Sequence, residues 1–192
     1  PPLAAMLSGS ALVTPRPTAW LFLGFAGAFR RSELVAVQIE DLTFTTQGMV
    51  VFIPQSKGDQ LGAGSEIAIP YAPQKEICAV RAVRNWMEAA GITSGPLFRG
   101  FKRNLQPRDT QLNDKAVAEI VKKYMARLGL DPSDFAGHSL RRGFATSAAQ
   151  HDLNTLEIMR QTRHKSEKMV HRYIEQGNLF KENALDKMFN KK

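Results

Sequence analysis

The last third of the chain gathers cations, imidazoles and a tyrosine: His138-Ser139-Leu140-Arg141, then Thr162-Arg163-His164-Lys165-Ser166, then Tyr173. His138 and Arg141 stand three apart, so on a helix they share one face and can grip one anion together. Near a helix N-terminus, free backbone N–H groups and the positive dipole end would strengthen that grip on a phosphate. The H-x-x-R spacing alone is weak, because a His and an Arg three apart often occur by chance. His164 and Tyr173 are nine residues apart. On one unbroken helix that is about 900° of rotation, which puts them on opposite faces. Ser166 offers an N-cap that leaves His164 in the preceding loop and Tyr173 about two turns into a new helix. Met169, Val170, Tyr173 and Ile174 also read as a buried stripe, and locally that is the favoured reading of Tyr173. His151 and His171 read as solvent-facing.

Other chemistries lack their residues. The sequence holds no G-x-x-x-x-G-K-S/T phosphate loop, H-E-x-x-H zinc helix, G-x-S-x-G elbow or C-x-x-C pair. Its acids are scattered, with no carboxylate trio of the kind that holds two metal ions. Cys78 is the only cysteine, which excludes an internal disulfide and a multi-cysteine metal site and fits a reducing, cytoplasmic compartment.

Charge points to a partner. Lys and Arg outnumber Asp and Glu by 26 to 18 in 192 residues, a formal +8, which favours a polyanion: nucleic acid or an anionic membrane surface. Between 99 and 127 there are eight basic residues (Arg99, Lys102, Arg103, Arg108, Lys115, Lys122, Lys123, Arg127) against three acidic ones. Such a run is a solvated face or the complement of a phosphate backbone. The most apolar stretch, 19–29, is too short to span a bilayer and ends in Arg30 and Arg31.

The elements that must position these groups are mainly helical around a small antiparallel β-sheet, an α+β arrangement in one domain over residues 1–192. Thr18 caps a helix from Trp20 to Ala28, and Ser32-Glu33-Leu34 begins a short one. Segments 41–46, 49–54 and 66–70 are rich in β-branched and aromatic residues, with Gln47-Gly48 as a hairpin turn. Glycines mark 55–64 as an exposed turn. A helix is expected over 74–90 and ends at Gly91, a loop over 91–108, and a helix capped by Asn113 with Val117, Ile120, Val121, Tyr124, Met125 and Leu128 as its apolar stripe. Short helices over 139–150, 153–160 and 166–174 and an amphipathic segment over 179–189 complete the chain.

Taken together these residues resemble the catalytic domain of the tyrosine recombinases, the phage-integrase family. That family's pattern is an Arg, a β-hairpin Lys, H-x-x-R, a second His or Trp, then Tyr. Arg30 in Arg30-Arg31-Ser32-Glu33-Leu34, Lys57, His138 with Arg141, His164 and Tyr173 match it in order over nearly the whole chain. Arg30 is preferred to Arg31 because the family places its Arg three residues before the Glu; Arg142 beside Arg141 raises the same choice. One departure stands out: the family usually has Gly before its second His, and this chain has Arg163.

The resemblance implies a tyrosine-recombinase fold and an enzyme that cleaves and rejoins DNA through a 3′-phosphotyrosyl bond. Arg30 and Arg141 would clamp the phosphate, His138 and His164 would hydrogen-bond it, His138 would also help remove the tyrosine proton, Lys57 would protonate the leaving 5′-oxygen, and Tyr173 would attack. Glu33 would sit behind them and orient His138, or serve as a carboxylate at a helix start. Lys102, Arg103, Arg108, Lys122, Lys123 and Arg142 are the expected contacts to double-stranded DNA. No metal, cofactor, membrane or small-molecule substrate is implied; the partner is duplex DNA, with a monomer free and a homotetramer on DNA. A chain starting at Pro1-Pro2 reads as a fragment lacking the family's N-terminal core-binding domain, and 178–192 as a segment that docks on a neighbouring protomer or packs on the parent domain. Two other readings stay open: a DNA-binding relative without turnover, and a type IB topoisomerase or telomere resolvase.

Overall fold

The computed structural model describes residues 15–54, 63–103, 107–127, 129–177 and 188. Lys57 and, apart from Met188, the expected C-terminal docking segment lie outside the described residues.

Helix α1 (Pro15–Ala26) is the central post. It starts three residues before Thr18, because proline's fixed φ and missing N–H are tolerated in a first helical turn. Ala19, Trp20, Leu21, Phe22 and Leu23 are all buried, so the helix is surrounded rather than amphipathic. A Cβ on Gly24 would stand 2.7 Å from Leu140 and 2.9 Å from Leu34. Glycine is therefore what allows α1 to approach the segments that carry Leu34 and Leu140. A turn at Gly27 and Ala28 leads into α2 (Arg31–Ala36).

Three strands follow, β1 (Leu42–Phe44), β2 (Gly48–Ile53) and β3 (Ser65–Pro70), antiparallel with β2 in the centre. The register pairs Met49 with Ile69 and Val51 with Ile67. These side chains, with Ile53, form the buried face, as period-two alternation requires.

The helix expected over 74–90 is broken. A 3-10 turn (Lys75–Ile77) gives way at Cys78, whose backbone is extended, and α3 (Ala79–Ala90) begins after it. Cys78 is fully buried and its Sγ accepts from the Ala72 N–H at 3.4 Å. Tertiary anchoring thus overrides the helical pattern. Gly91 ends α3 in the left-handed region, φ 60°, where glycine meets no Cβ penalty.

The loop expected over 91–108 is also corrected: β4 (Arg99–Phe101) and β5 (Pro107–Gln111) form a second antiparallel hairpin. Most of β5 is exposed and polar, so it has no apolar alternation for a sequence reading to detect. Helix α4 (Asp114–Arg127) buries Val117, Val121, Tyr124 and Met125, and Asn113 accepts from the Lys115 N–H at 2.9 Å.

The C-terminal part is a three-helix unit: α5 (Ser139–Gln150), α6 (Thr155–Thr162) and α7 (Glu167–Gly177). Helix α6 lies two residues later than expected because Asn154 and Glu157 close a reciprocal capping box. Ala145, Ala148, Ala149, Ile158 and Val170 form a small core of their own, with Tyr173 and Ile174 packed against it. Helix α5 joins this unit to α1.

Candidate active site

Where α2, α5 and α7 converge, a cleft of about 460 Å³ is lined by Arg30, Arg31, Ser32, His138, Arg141, Arg142, His164, Met169 and Tyr173. Four of these nine are arginines and none is acidic. Five of the six residues singled out from the sequence therefore meet in one place; the sixth is Lys57.

Arg141 is buried on the first turn of α5. Its Nη1 donates to the Ala28 carbonyl at 2.8 Å, whereas Nη2 is buried without a hydrogen-bond partner among the described residues. Burial, then repulsion from Arg30 and Arg163, pulls this guanidinium down to about 10; Glu33 and Tyr173 oppose the shift. It stays protonated at neutral pH, with unused donor capacity in a low-dielectric setting.

Glu33 holds the back of the cleft as a helix-start carboxylate. Its carboxylate accepts from Arg30 Nη1 at 2.5 Å, Arg163 Nη2 at 2.7 Å and the Arg30 backbone N–H at 2.9 Å. Both oxygens are engaged by arginines from the two sides. Burial alone would raise the Glu33 pKa; the charge of Arg163 and the bonds and charge of Arg30 outweigh it, so the carboxyl titrates below its usual range.

His138 occupies the N-cap position of α5, with its side chain exposed. His164 follows the end of α6, and Tyr173 lies on α7; their rings are 5.9 Å apart and inclined by 33°. The hydroxyl of Thr162 donates to the Ile158 carbonyl at 2.6 Å and also meets His164 Nδ1 at 2.8 Å. Its one hydrogen is spent on a carbonyl that can only accept, so Nδ1 must carry the imidazole proton. Burial, then the charges of Arg141, Arg30 and Arg163, pushes His164 down to about 4. The free site thus holds a neutral imidazole whose Nε2 is an acceptor.

Tyr173 is half-buried. The two readings of it hold together: one side packs on the core of α5, α6 and α7, and the ring also lines the cleft. His151 and His171 are exposed.

Arg31 and Arg142 stand at the rim, and Arg31 pairs with Asp114 at 2.9 Å. Lys102, Arg103, Arg108, Lys122 and Lys123 are exposed but do not line the cleft. They reside on the second hairpin and on α4. Among the described residues, no group of three or more His, Cys, Asp or Glu could hold a metal ion, and no helix is long and apolar enough to cross a membrane.

The backbone superposes on that of DNA-processing enzymes. A crystal structure of XerA recombinase matches with a TM-score of 0.70 at 15% identity, covering 100% of this chain and 62% of that one. XerH site-specific recombinase bound to difH substrate, a pre-cleavage complex, matches with a TM-score of 0.64 at 18% identity, covering 89% of this chain and 48% of that one. At such identities the likeness defines the fold: a mainly helical domain with small antiparallel sheets, as expected. Sequence comparison goes further, for the model of the phage integrase family matches residues 14–178, and the chain belongs to that family. It is also 65% identical over 189 residues to an integrase/recombinase xerD homolog of Selenomonas ruminantium, covering 98% of this chain and 55% of that protein. The chain thus spans about half the length of that curated relative.

Proposed function

We propose that this chain is the catalytic domain of a tyrosine recombinase that cleaves and rejoins double-stranded DNA at specific sites, with Tyr173 as nucleophile. The observation that carries the reading is the cleft itself: a tyrosine and two imidazoles beside four arginines, with a buried Arg141 N–H still free to donate. A phosphodiester supplies the anion such a site lacks. Charge grows on its nonbridging oxygens during transfer, where preorganised guanidinium donors help most.

Tyr173 Oη attacks phosphorus, and the bond to the 5′-oxygen breaks as the new bond to tyrosine forms. Arg30 and Arg141 hold the nonbridging oxygens. His138, exposed at the cleft, takes the phenol proton, and Lys57 protonates the departing 5′-oxygen. One phosphodiester is exchanged for a 3′-phosphotyrosyl ester, so a 5′-hydroxyl from another strand can reverse the step without ATP. A bound phosphate offsets the arginine charges around His164, so that Nε2 can gain a proton and donate to it. Arginines take the charge-neutralising part that a metal ion plays elsewhere, and no metal enters the scheme. Recombination follows from two such exchanges in a homotetramer on DNA assembled from free monomers.

The general-acid assignment is tested by leaving group. Lys57→Ala should slow cleavage of ordinary DNA about 10²-fold or more, yet leave a 5′-bridging phosphorothiolate, whose sulfur departs unprotonated, close to the wild-type rate. Equal defects on both substrates would remove Lys57 from that role. In both reactions the wild-type chain should form a denaturation-resistant DNA adduct in the presence of EDTA.

A further inference from the structure

Arg163 stands where the resembling family usually has glycine, and it keeps the backbone that glycine favours: φ 55°, ψ 38°, left-handed. A side chain with a Cβ adopts that region only against steric resistance. What holds it there is visible in its partners. Nη1 donates to the carbonyls of Gly27 at 3.0 Å and Gln161 at 3.1 Å, and Nη2 to Glu33 Oε2 at 2.7 Å and the Ala28 carbonyl at 3.4 Å. The guanidinium also lies over the Phe29 ring, 5.3 Å from its centroid, and the side chain is only 10% exposed.

These contacts reach two parts of the cleft at once. Residues 26–28 close α1 and lead directly to Arg30. Their carbonyls are gathered by three side chains: Gln161 on Ala26 at 2.6 Å, Arg163 on Gly27 and Ala28, and Arg141 on Ala28. Glu33, the second anchor of Arg163, is also the carboxylate that holds Arg30. The residue after Arg163 is His164.

We propose that Arg163 is a positioning residue for strand cleavage, a cationic brace that fixes the His164 turn and the Arg30–Glu33 pair against the end of α1. Arg163 does not line the cleft and touches no reacting atom; it acts through Arg30 and His164. The inference rests on the reading of the cleft as the cleavage site. It carries a counterintuitive consequence: glycine, the residue best suited to this backbone, should be worse for activity here.

The test compares wild type, Arg163→Gly and Arg163→Lys on a phosphorothiolate duplex selected with the wild-type chain from a randomised library. Single-turnover adduct formation at saturating chain should fall about 10²-fold in the Gly variant, with duplex affinity unchanged, and the Lys variant should fall in between. Independently of DNA, the His164 ring titration followed by NMR should move up in the Gly variant, which loses one of the three guanidiniums facing it, and return in the Lys variant, which restores a charge. The other groups facing the ring are Arg141, Arg30 and Tyr173.

A Gly variant that cleaves at the wild-type rate overturns the brace. So does one that loses affinity and cleavage together with an unmoved His164 titration, since that describes damage to the fold alone. If thermal melting shows the Gly variant unfolded, the folded Lys variant decides: slowed cleavage at unchanged affinity supports the brace, and a wild-type rate refutes it. If the wild-type chain forms no adduct, the proposed function fails, and geometry judges the brace: NMR contacts of the His164 ring with Thr162 and Tyr173 that are lost in the Gly variant support it, and contacts that are kept refute it.

Discussion

His164 is held by two constraints that differ in origin. Thr162 fixes its tautomer, because one hydroxyl hydrogen cannot serve two acceptors, and the surrounding guanidiniums with burial fix its charge. The unfolded chain binds a proton here near 6.5 and the folded chain only near 4. Acid therefore favours the unfolded state across that window. Stability should fall as pH drops from about 6.5 toward about 4, with no further loss from this group below the lower value. Urea melts at pH 7 and pH 5 should show the decline, and His164→Gln should flatten it; an identical slope in the variant would contradict the assignment. Glu33 contributes in the same direction but at lower pH, because its pKa lies below its usual value and its ion pairs persist until the carboxyl is protonated.

At the scale of elements, Glu33 ties the short α2 to the turn before α7 through arginines from both sides. Removing one member of such a cluster leaves buried charge uncompensated, at a cost of about 3–5 kcal/mol. Glu33→Gln should lower unfolding stability by an amount toward the low end of that range, since it keeps shape and one acceptor; a chemical denaturation curve superimposable on wild type would refute the role. The two arginines and the carboxylate could not be paired from sequence, because Arg163 lies 130 residues from Glu33. Its substitution for the family's glycine was the available signal.

Other elements divide along the same physical line. The strands β2 and β3 and the helices α4 and α5 were legible because apolar periodicity and caps recur locally. The β4–β5 hairpin was not, since its polar strands leave no periodic trace, and neither was the break at Cys78, which depends on a contact with Ala72. Tyr173 shows the limit most clearly: its stripe on α7 could be read, but its place in the cleft depends on α2 and α5 meeting that helix.

Among the described residues, basic side chains gather in the cleft, with its four arginines, and on the exposed face of the second hairpin and α4. Duplex affinity should fall linearly with salt on logarithmic axes, and Arg142→Ala should reduce the slope by about 1 while weakening binding similarly on all sequences. Salt-independent binding would argue against a phosphate-reading surface. The order of the motif residues along the chain made the family legible before any geometry, because six positions spaced over more than a hundred residues seldom agree by chance.

The covalent bond to DNA proposed for Tyr173 can be detected directly. Wild type and Tyr173→Phe should be incubated with the phosphorothiolate duplex, digested with trypsin, and the DNA-linked peptide identified by mass spectrometry. One adduct is expected, on the peptide containing Tyr173, and none in the variant, which should still fold and bind duplex. An adduct on Tyr71 or Tyr124, or undiminished adduct in Tyr173→Phe, would contradict it.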